Sequence, residues 1–308
     1  MTTASAVVFA YHDVGVRCLK ALISGGVSIP LVVTVADDPR EKQWFASVAA
    51  TAANYGIRTA IPADASSPEL QNDVASLRPD FIFSFYYRSL LGPGLLRSAT
   101  RGALNMHGSL LPRYRGRAPV NWAILRGERE TGATLHYMVE RADAGDIVDQ
   151  LAVPILQDDD ARDVFNKVTV AAETILVRSL PGLIAGTAPR RPQTILPGEY
   201  FGRRTPEDGR IDWRQGAVAI HNLVRAVAPP FPGAFAEIRG TRWSINQTRV
   251  VAGARKTPGR ARLIGETGRC YAECNDGSTL QILAAADAAG SIDLTALAAE
   301  LQRQPVWL

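Results

Sequence analysis

Cysteine is scarce in this chain. Its three residues, Cys18, Cys270 and Cys274, are too few and too irregularly spaced for a disulfide framework. Cys270 and Cys274 also lack partner ligands at zinc spacing, so no metal site is expected. Met1–Ala10 has no basic stretch followed by a long apolar one, which points to neither a signal peptide nor a membrane span and makes a cytoplasmic protein the expectation. Tyr11-His12-Asp13-Val14-Gly15 contains no Gly-x-Gly-x-x-Gly, so the dinucleotide fingerprint is missing at its usual place. Gly108-Ser109-Leu110 is no Gly-x-Ser-x-Gly elbow, and Ser109 reads as a turn residue. Charge of one sign is missing too. Lys and Arg number 34 and Asp and Glu 30, a net +4, split 20 against 20 over residues 1–202 and 14 against 10 over 203–308. That excess falls short of the clustered basic patch that grips a phosphate backbone, so tRNA is an unlikely partner by charge alone.

What is present suits a globular enzyme. Hydrophobic residues make up 46% and charged residues 21%, and 308 residues suffice for two domains with their own cores. Apolar runs Ala6–Ala10, Ile29–Val35, Thr59–Ile61 and Asp80–Phe85 alternate with helical stretches Val16–Ser24, Lys42–Tyr55 and Pro68–Leu77. Such alternation predicts a Rossmann-like, doubly wound, mostly parallel α/β sheet. Ala118–Arg126 reads as a helix with Pro119 in its first turn, followed by strands Ala133–Val139 and Ile147–Ile155 and the long helix Asp158–Ser179. His136 lies mid-strand and reads as structural. Prolines and glycines between Pro181 and Pro206 mark a linker, after which short strands with Gly-bearing turns predict a small barrel. The expected division is 1–202 and 203–308.

Chemistry concentrates between Asn105 and Asp143. Residues two apart on a strand share a face, so Asn105 and His107 present an amide donor beside a proton carrier. A later carboxylate, Asp143, would fix the imidazole's tautomer and stabilise imidazolium. Together they suit acyl transfer without a nucleophilic Ser or Cys. Arg113, Arg115 and Arg117 could grip phosphate or carboxylate, or form a solvated face. His12 and Asp13, after the first strand, either face a ligand or cap the following helix.

The run Asn105-Met106-His107-Gly108-Ser109-Leu110-Leu111-Pro112, then Arg115-Gly116-Arg117-Ala118-Pro119, with Asp143-Ala144-Gly145 beyond, resembles the 10-formyltetrahydrofolate-dependent formyltransferases. Val8–Asp13, Ile82–Arg88 and Phe201–Pro206 resemble the polymyxin-resistance branch of that family, which formylates UDP-4-amino-4-deoxy-L-arabinose for lipid A modification. Bifunctional members of that branch continue into a decarboxylating dehydrogenase domain that residues 1–308 do not contain. The resemblance implies 10-formyltetrahydrofolate as formyl donor, no metal, and Asn105, His107 and Asp143 as the catalytic set. It implies folate contacts at Ser89, Leu90, Leu91 and Arg117, and along Val139, Glu140, Arg141 and Ala142. It also implies an OB-like barrel for the C-terminal domain. Tyr11, His12, Arg203 and Arg204 are candidate contacts to the UDP-aminosugar. Methionyl-tRNA formylation, formylation of another nucleotide-linked aminosugar, and a folate-binding module or folate hydrolase are the alternatives. Oligomeric state is not legible.

Overall fold

Strand β1, Ser5–Ala10, has Val7, Val8 and Phe9 fully enclosed, as a continuous apolar run must be when both faces of its sheet are covered. It belongs to a computed structural model that describes residues 4–37, 43–195, 200–253 and 257–308. These residues form two compact units. In chain order β1 is followed by α1 (His12–Ser24), β2 (Ser28–Val33), α2 (Val48–Asn54), β3 (Thr59–Ala60), α3 (Pro68–Leu77), β4 (Phe81–Phe85), α4 (Pro93–Ser98) and β5 (Gly102–His107). Next come β6 (Arg115–Gly116), α5 (Pro119–Leu125), β7 (Glu130–Tyr137), β8 (Ile147–Pro154), α6 (Ala161–Ala185) and β9 (Tyr200–Phe201).

The sheet of the first unit has the order β3-β2-β1-β4-β5-β7-β8. Strands β3 to β5 pair parallel, the chain winding outward from β1 to β3 and then returning to β4 on the other side. That is the expected doubly wound sheet. Strands β7 and β8 extend it antiparallel. Phe81, Phe83 and Phe85 on β4 are fully buried with Phe9, each such side chain stabilising the fold by about 1.5–3 kcal/mol.

Local chemistry sets the helix starts. Ser47 and Ser67 accept from the N–H groups of Ala50 and Leu70, so α2 begins after Ser47 and α3 begins at Pro68. The Ser47 cap is why the second helix starts later than its apolar pattern suggests; Lys42, its expected first residue, lies outside the described residues, as do Pro197 and Gly198 of the expected linker. Helix α1 begins earlier than expected, at His12, and α6 runs through Pro181 to Ala185 before the Pro- and Gly-rich stretch takes over. By length and composition α6 could cross a membrane. Its buried positions Val164, Val168, Ala171 and Ile175 instead recur at helical spacing as core contacts.

The second unit contains α7 (Ala217–Ala226), β10 (Ala234–Ile238), β11 (Thr241–Val250), β12 (Arg262–Glu266), β13 (Arg269–Glu273), β14 (Thr279–Asp287), β15 (Gly290–Ser291), α8 (Leu294–Arg303) and β16 (Val306–Trp307). Its antiparallel sheet, β10-β11-β14-β13-β12-β16 with β15 on β14, is a curled half-barrel whose β10 end is bridged in parallel by Arg210. Ile220, Val224, Trp243, Leu263, Ile282 and Leu301 fill its core. Two stretches from before residue 203, 120–129 and 155–164, group with this unit. Hydrogen bonds explain it: Asn121 donates to the Ala226 carbonyl at 2.7 Å, His221 Nε2 to Gln157 at 2.9 Å, and Arg225 to Asp159 at 3.1 Å.

Candidate active site

Asn105 and His107 lie on β5, on one face as their spacing predicts, and β7 brings His136 directly opposite Asn105. The His136 ring is 1% exposed, and its Nδ1 sits 2.8 Å from the Tyr137 carbonyl. A carbonyl only accepts, so Nδ1 carries the hydrogen and Nε2 of the neutral ring is an acceptor. Asn105 Nδ2 donates to that nitrogen at 3.2 Å. This fixes which way the amide points and leaves its second N–H unengaged by His136. Burial pulls His136 down to about 4 and the nearby His107 adds to this, against the raising effect of Asp143 and the Tyr137 carbonyl. The ring therefore stays neutral, and an acceptor, at ordinary pH.

His107 is oriented in the opposite sense. Its Nε2 donates to the Tyr114 carbonyl at 2.9 Å, leaving Nδ1 as the nitrogen that can gain or lose a proton. Asp143 Oδ1 lies 3.6 Å from that Nδ1 and 3.8 Å from His136 Nε2. At 3.6 Å a lone pair faces a carboxylate; a proton on Nδ1 turns the same contact attractive. Asp143 Oδ2 accepts from the Gly116 N–H at 2.9 Å. Gly116 has φ +104, and any side chain there would overlap the Phe201 backbone, so only glycine brings this N–H to the carboxylate.

The turn carrying the site is pinned from within. Ser109 Oγ donates to the Arg113 carbonyl at 2.6 Å, and Thr134 Oγ1 donates to the Ser109 carbonyl at 2.6 Å while accepting from the Leu111 N–H at 3.1 Å. Ser109, read as a turn residue, donates its hydroxyl to the turn's own backbone and is wholly buried there.

Leu90 is 71% exposed and Val139 is 47% exposed, apolar side chains that a packed strand-to-loop junction would cover. Ser89, Glu140, Arg141 and Arg117 are exposed as well, whereas Leu91 and Ala142 are half-buried. The three arginines of the turn do not act alike: Arg113 and Arg117 face outward and Arg115 is buried. Arg203 and Arg204 belong to the other unit, where Arg204 stacks over Trp122 at 4.9 Å and donates to the Asp208 carbonyl at 2.8 Å.

At the end of β1 the geometry disfavours the expected ligand contacts. The Tyr11 hydroxyl is engaged by Asp37 at 3.0 Å. The His12 side chain, 13% exposed, is enclosed by Phe45, Trp44 and Phe165 with ring centroids 4.0, 4.5 and 4.4 Å away. His12 Nδ1 accepts from the Asp13 N–H at 2.9 Å. Burial, aided by Arg88, pushes this histidine down to about 3.

Formyl transferase matches residues 6–180, and the formyl transferase C-terminal domain matches residues 203–295. The chain belongs to the formyl transferase family. Among solved structures, the formyl transferase fold is shared with an N-formyltransferase from Helicobacter canadensis in complex with folinic acid and dTDP-3-aminofucose, at 20% identity and TM-score 0.72, over 94% of this chain and 100% of that one. A sugar 3N-formyl transferase, WlaRD, solved in the presence of dTDP and 5-N-formyl-THF, matches at 17% identity and TM-score 0.72, covering 95% and 99% of the two chains. A 4-N formyltransferase from Francisella tularensis matches at 21% identity and TM-score 0.64, over 78% of this chain and 95% of that one. At these identities the likeness is one of fold.

His136 is the site residue that the sequence reading set aside. No local pattern marks it, because its contact with Asn105 depends on the antiparallel register of β5 and β7, and nothing in either strand alone states that they pair.

Proposed function

We propose that this formyl transferase moves a formyl group from 10-formyltetrahydrofolate to the amine of a nucleotide-linked aminosugar. The acceptor we favour is UDP-4-amino-4-deoxy-L-arabinose, giving the 4-formamido sugar used in lipid A modification, in the cytoplasm. The observation that carries the reading is the amide of Asn105, turned by a neutral His136 and set on the same strand face as the His107 and Asp143 pair. In the proposed reaction the acceptor nitrogen bonds to the formyl carbon and the bond from that carbon to the folate N10 breaks. The second N–H of Asn105 stabilises the oxyanion that forms in between. His107 Nδ1 relays the proton that the amine loses to the departing folate nitrogen, with Asp143 opposite the transient imidazolium. No covalent enzyme intermediate is needed.

Exposed Leu90 and Val139 support a flat apolar ligand at the ends of β4 and β7, and the folates named with two of the solved relatives support its identity. The sugars named with those relatives support the acceptor class. Preference for a UDP-linked 4-amino sugar rests on the likeness at Tyr11-His12-Asp13 and Phe201-Gly202-Arg203-Arg204 to the polymyxin-resistance branch. A direct test supplies 10-formyltetrahydrofolate with UDP-4-amino-4-deoxy-L-arabinose, a dTDP-3-aminosugar or charged initiator tRNA in parallel. Formamide formation on the UDP sugar is expected. Turnover of the dTDP sugar alone keeps the reaction and changes the acceptor; formylation of tRNA alone, or formate release without any acceptor, overturns the reading.

A further inference from the structure

Residues 191–195 and 200–201 fall in what reads in the sequence as a linker, yet they hold both loops of the site. Arg191 exchanges two backbone hydrogen bonds with Ile147, at 2.8 and 2.9 Å, where β8 leaves the Asp143 loop. Gln193 Nε2 donates to the Gly145 carbonyl at 2.6 Å and to the Asp143 carbonyl at 3.3 Å. At the far end β9 pairs parallel with β6, the Phe201 carbonyl accepts from the Arg117 N–H at 2.9 Å, and the Phe201 ring packs on Tyr114 with centroids 4.9 Å apart. Gly116, which donates to Asp143 Oδ2, and Tyr114, whose carbonyl orients His107, both sit in the segment that Phe201 holds.

We propose that residues 191–195 and 200–201 act as a strap that sets the position of Asp143, with Gln193 as a positioning residue for the formyl transfer proposed above, on which the inference rests. Asp143 has φ +53, a left-handed backbone that aspartate adopts more readily than most residues. Gln193 holds the loop in that form by drawing two of its carbonyls toward one amide. The amide's orientation is unambiguous, because a flip would set its oxygen against both carbonyls. Its Oε1 is buried without a hydrogen-bond partner among the described residues, so the donor end is what the loop uses. Asp143 is thereby gripped at its backbone by Gln193 and at its carboxylate by the Gly116 N–H, which fixes Oδ1 opposite His107. Relaxation of the loop would carry the carboxylate away from Nδ1 without removing any group that reacts.

The test compares Gln193→Ala and the near-isosteric Gln193→Glu with the parent protein, each also in an Asp143→Asn background. Gln193→Ala is expected to lower kcat about 10- to 100-fold, the scale of a misplacement near 1 Å, with the KM for the aminosugar little changed. Gln193→Glu, which keeps the volume and sets a carboxylate against two carbonyls, should be no better. In the Asp143→Asn background neither change should lower kcat further, because the group it positions is already gone. Hydrogen exchange should quicken in residues 138–146 and leave β1, β2 and α3 unaltered. Losses that multiply with Asp143→Asn, a kcat within about twofold of the parent, or faster exchange throughout the unit would overturn the strap. If the parent forms no formamide with any acceptor, the functional reading fails by itself. Exchange then decides the strap: quickening confined to 138–146 keeps it, and an unaltered or general pattern removes it.

Discussion

His12 and His107 hold corresponding places, one just past the carboxyl end of β1 and the other at the carboxyl end of β5, and their surroundings make them chemically opposite. Around His12 stand Phe45, Trp44 and Phe165, and although Asp13 Oδ2 lies 3.8 Å from Nδ1, that nitrogen already accepts from the Asp13 N–H, and burial with the positive charge of Arg88 keeps the ring neutral. Around His107 stand a carbonyl that fixes one nitrogen and a carboxylate that faces the other. Strand-end position, which the two share, is therefore not what assigns a role; the hydrogen-bond partners of each nitrogen do.

The comparison breaks first at His107. His107→Ala and Asn105→Ala should each cut turnover by about 100- to 1,000-fold or more with little change in melting temperature, whereas the same measurement on His12→Leu should stay within about threefold of the parent. Near-normal turnover of His107→Ala would reverse the assignment. A smaller loss is expected at His136, which acts through Asn105 rather than on the reacting atoms. His136→Leu removes the acceptor that turns the amide and should cost about 10- to 100-fold in kcat while substrate affinity holds. A kcat equal to that of the parent would leave His136 a purely structural residue, as its mid-strand position first suggested.

These contrasts also mark what the sequence could disclose. The β-α alternation, the same-face spacing of Asn105 and His107, and the turn role of Ser109 depend on local periodicity and local hydrogen bonds, and they are legible from neighbouring residues. The β5 to β7 register that joins His136 to Asn105 is not, since it depends on how distant strands align. Nor is the enclosure of His12, whose ring neighbours Trp44, Phe45 and Phe165 are supplied by two other stretches of the chain. The strap formed by residues 191–195 and 200–201 was missed for a related reason: prolines and glycines mark a break in the regular pattern and are silent on what the side chains there hold.

Beneath His107, packing rather than charge is the constraint. A β-carbon added at Gly108 would overlap the Tyr86 hydroxyl, and that hydroxyl is buried with no hydrogen-bond partner among the described residues. Gly108→Ala should lower stability by about 1–3 kcal/mol. Tyr86→Phe, which discards an unpaired buried hydroxyl, should be neutral or slightly stabilising and should recover part of the Gly108→Ala loss. Denaturant midpoints of the two single variants and the double variant check this; additive losses would mean that Tyr86 is not what Gly108 accommodates.

The smallest effect is the sharpest on His12 itself, because it reads the ring's surroundings without involving the reaction. A histidine held at about 3 in the fold and near 6.5 when unfolded has the same charge in both states above pH 6.5. As pH falls from 6.5 toward 3 the unfolded chain takes up a proton that the folded chain refuses, so stability is lost on the acid side and nothing is lost on the alkaline side. Each pH unit in that window costs about 1.4 kcal/mol for one such group. His136, held at about 4, adds a parallel loss down to that pH, so the parent should destabilise steeply on acidification. His12→Leu forfeits the hydrogen bond from the Asp13 N–H and should be about 1 kcal/mol less stable at pH 7.5. Its stability should nonetheless fall more gently below pH 6.5, the two curves converging and then crossing as the parent keeps losing what the variant no longer can. Parallel curves from pH 7.5 to 4 would show that the His12 ring takes up its proton as readily inside the aromatic enclosure as outside it.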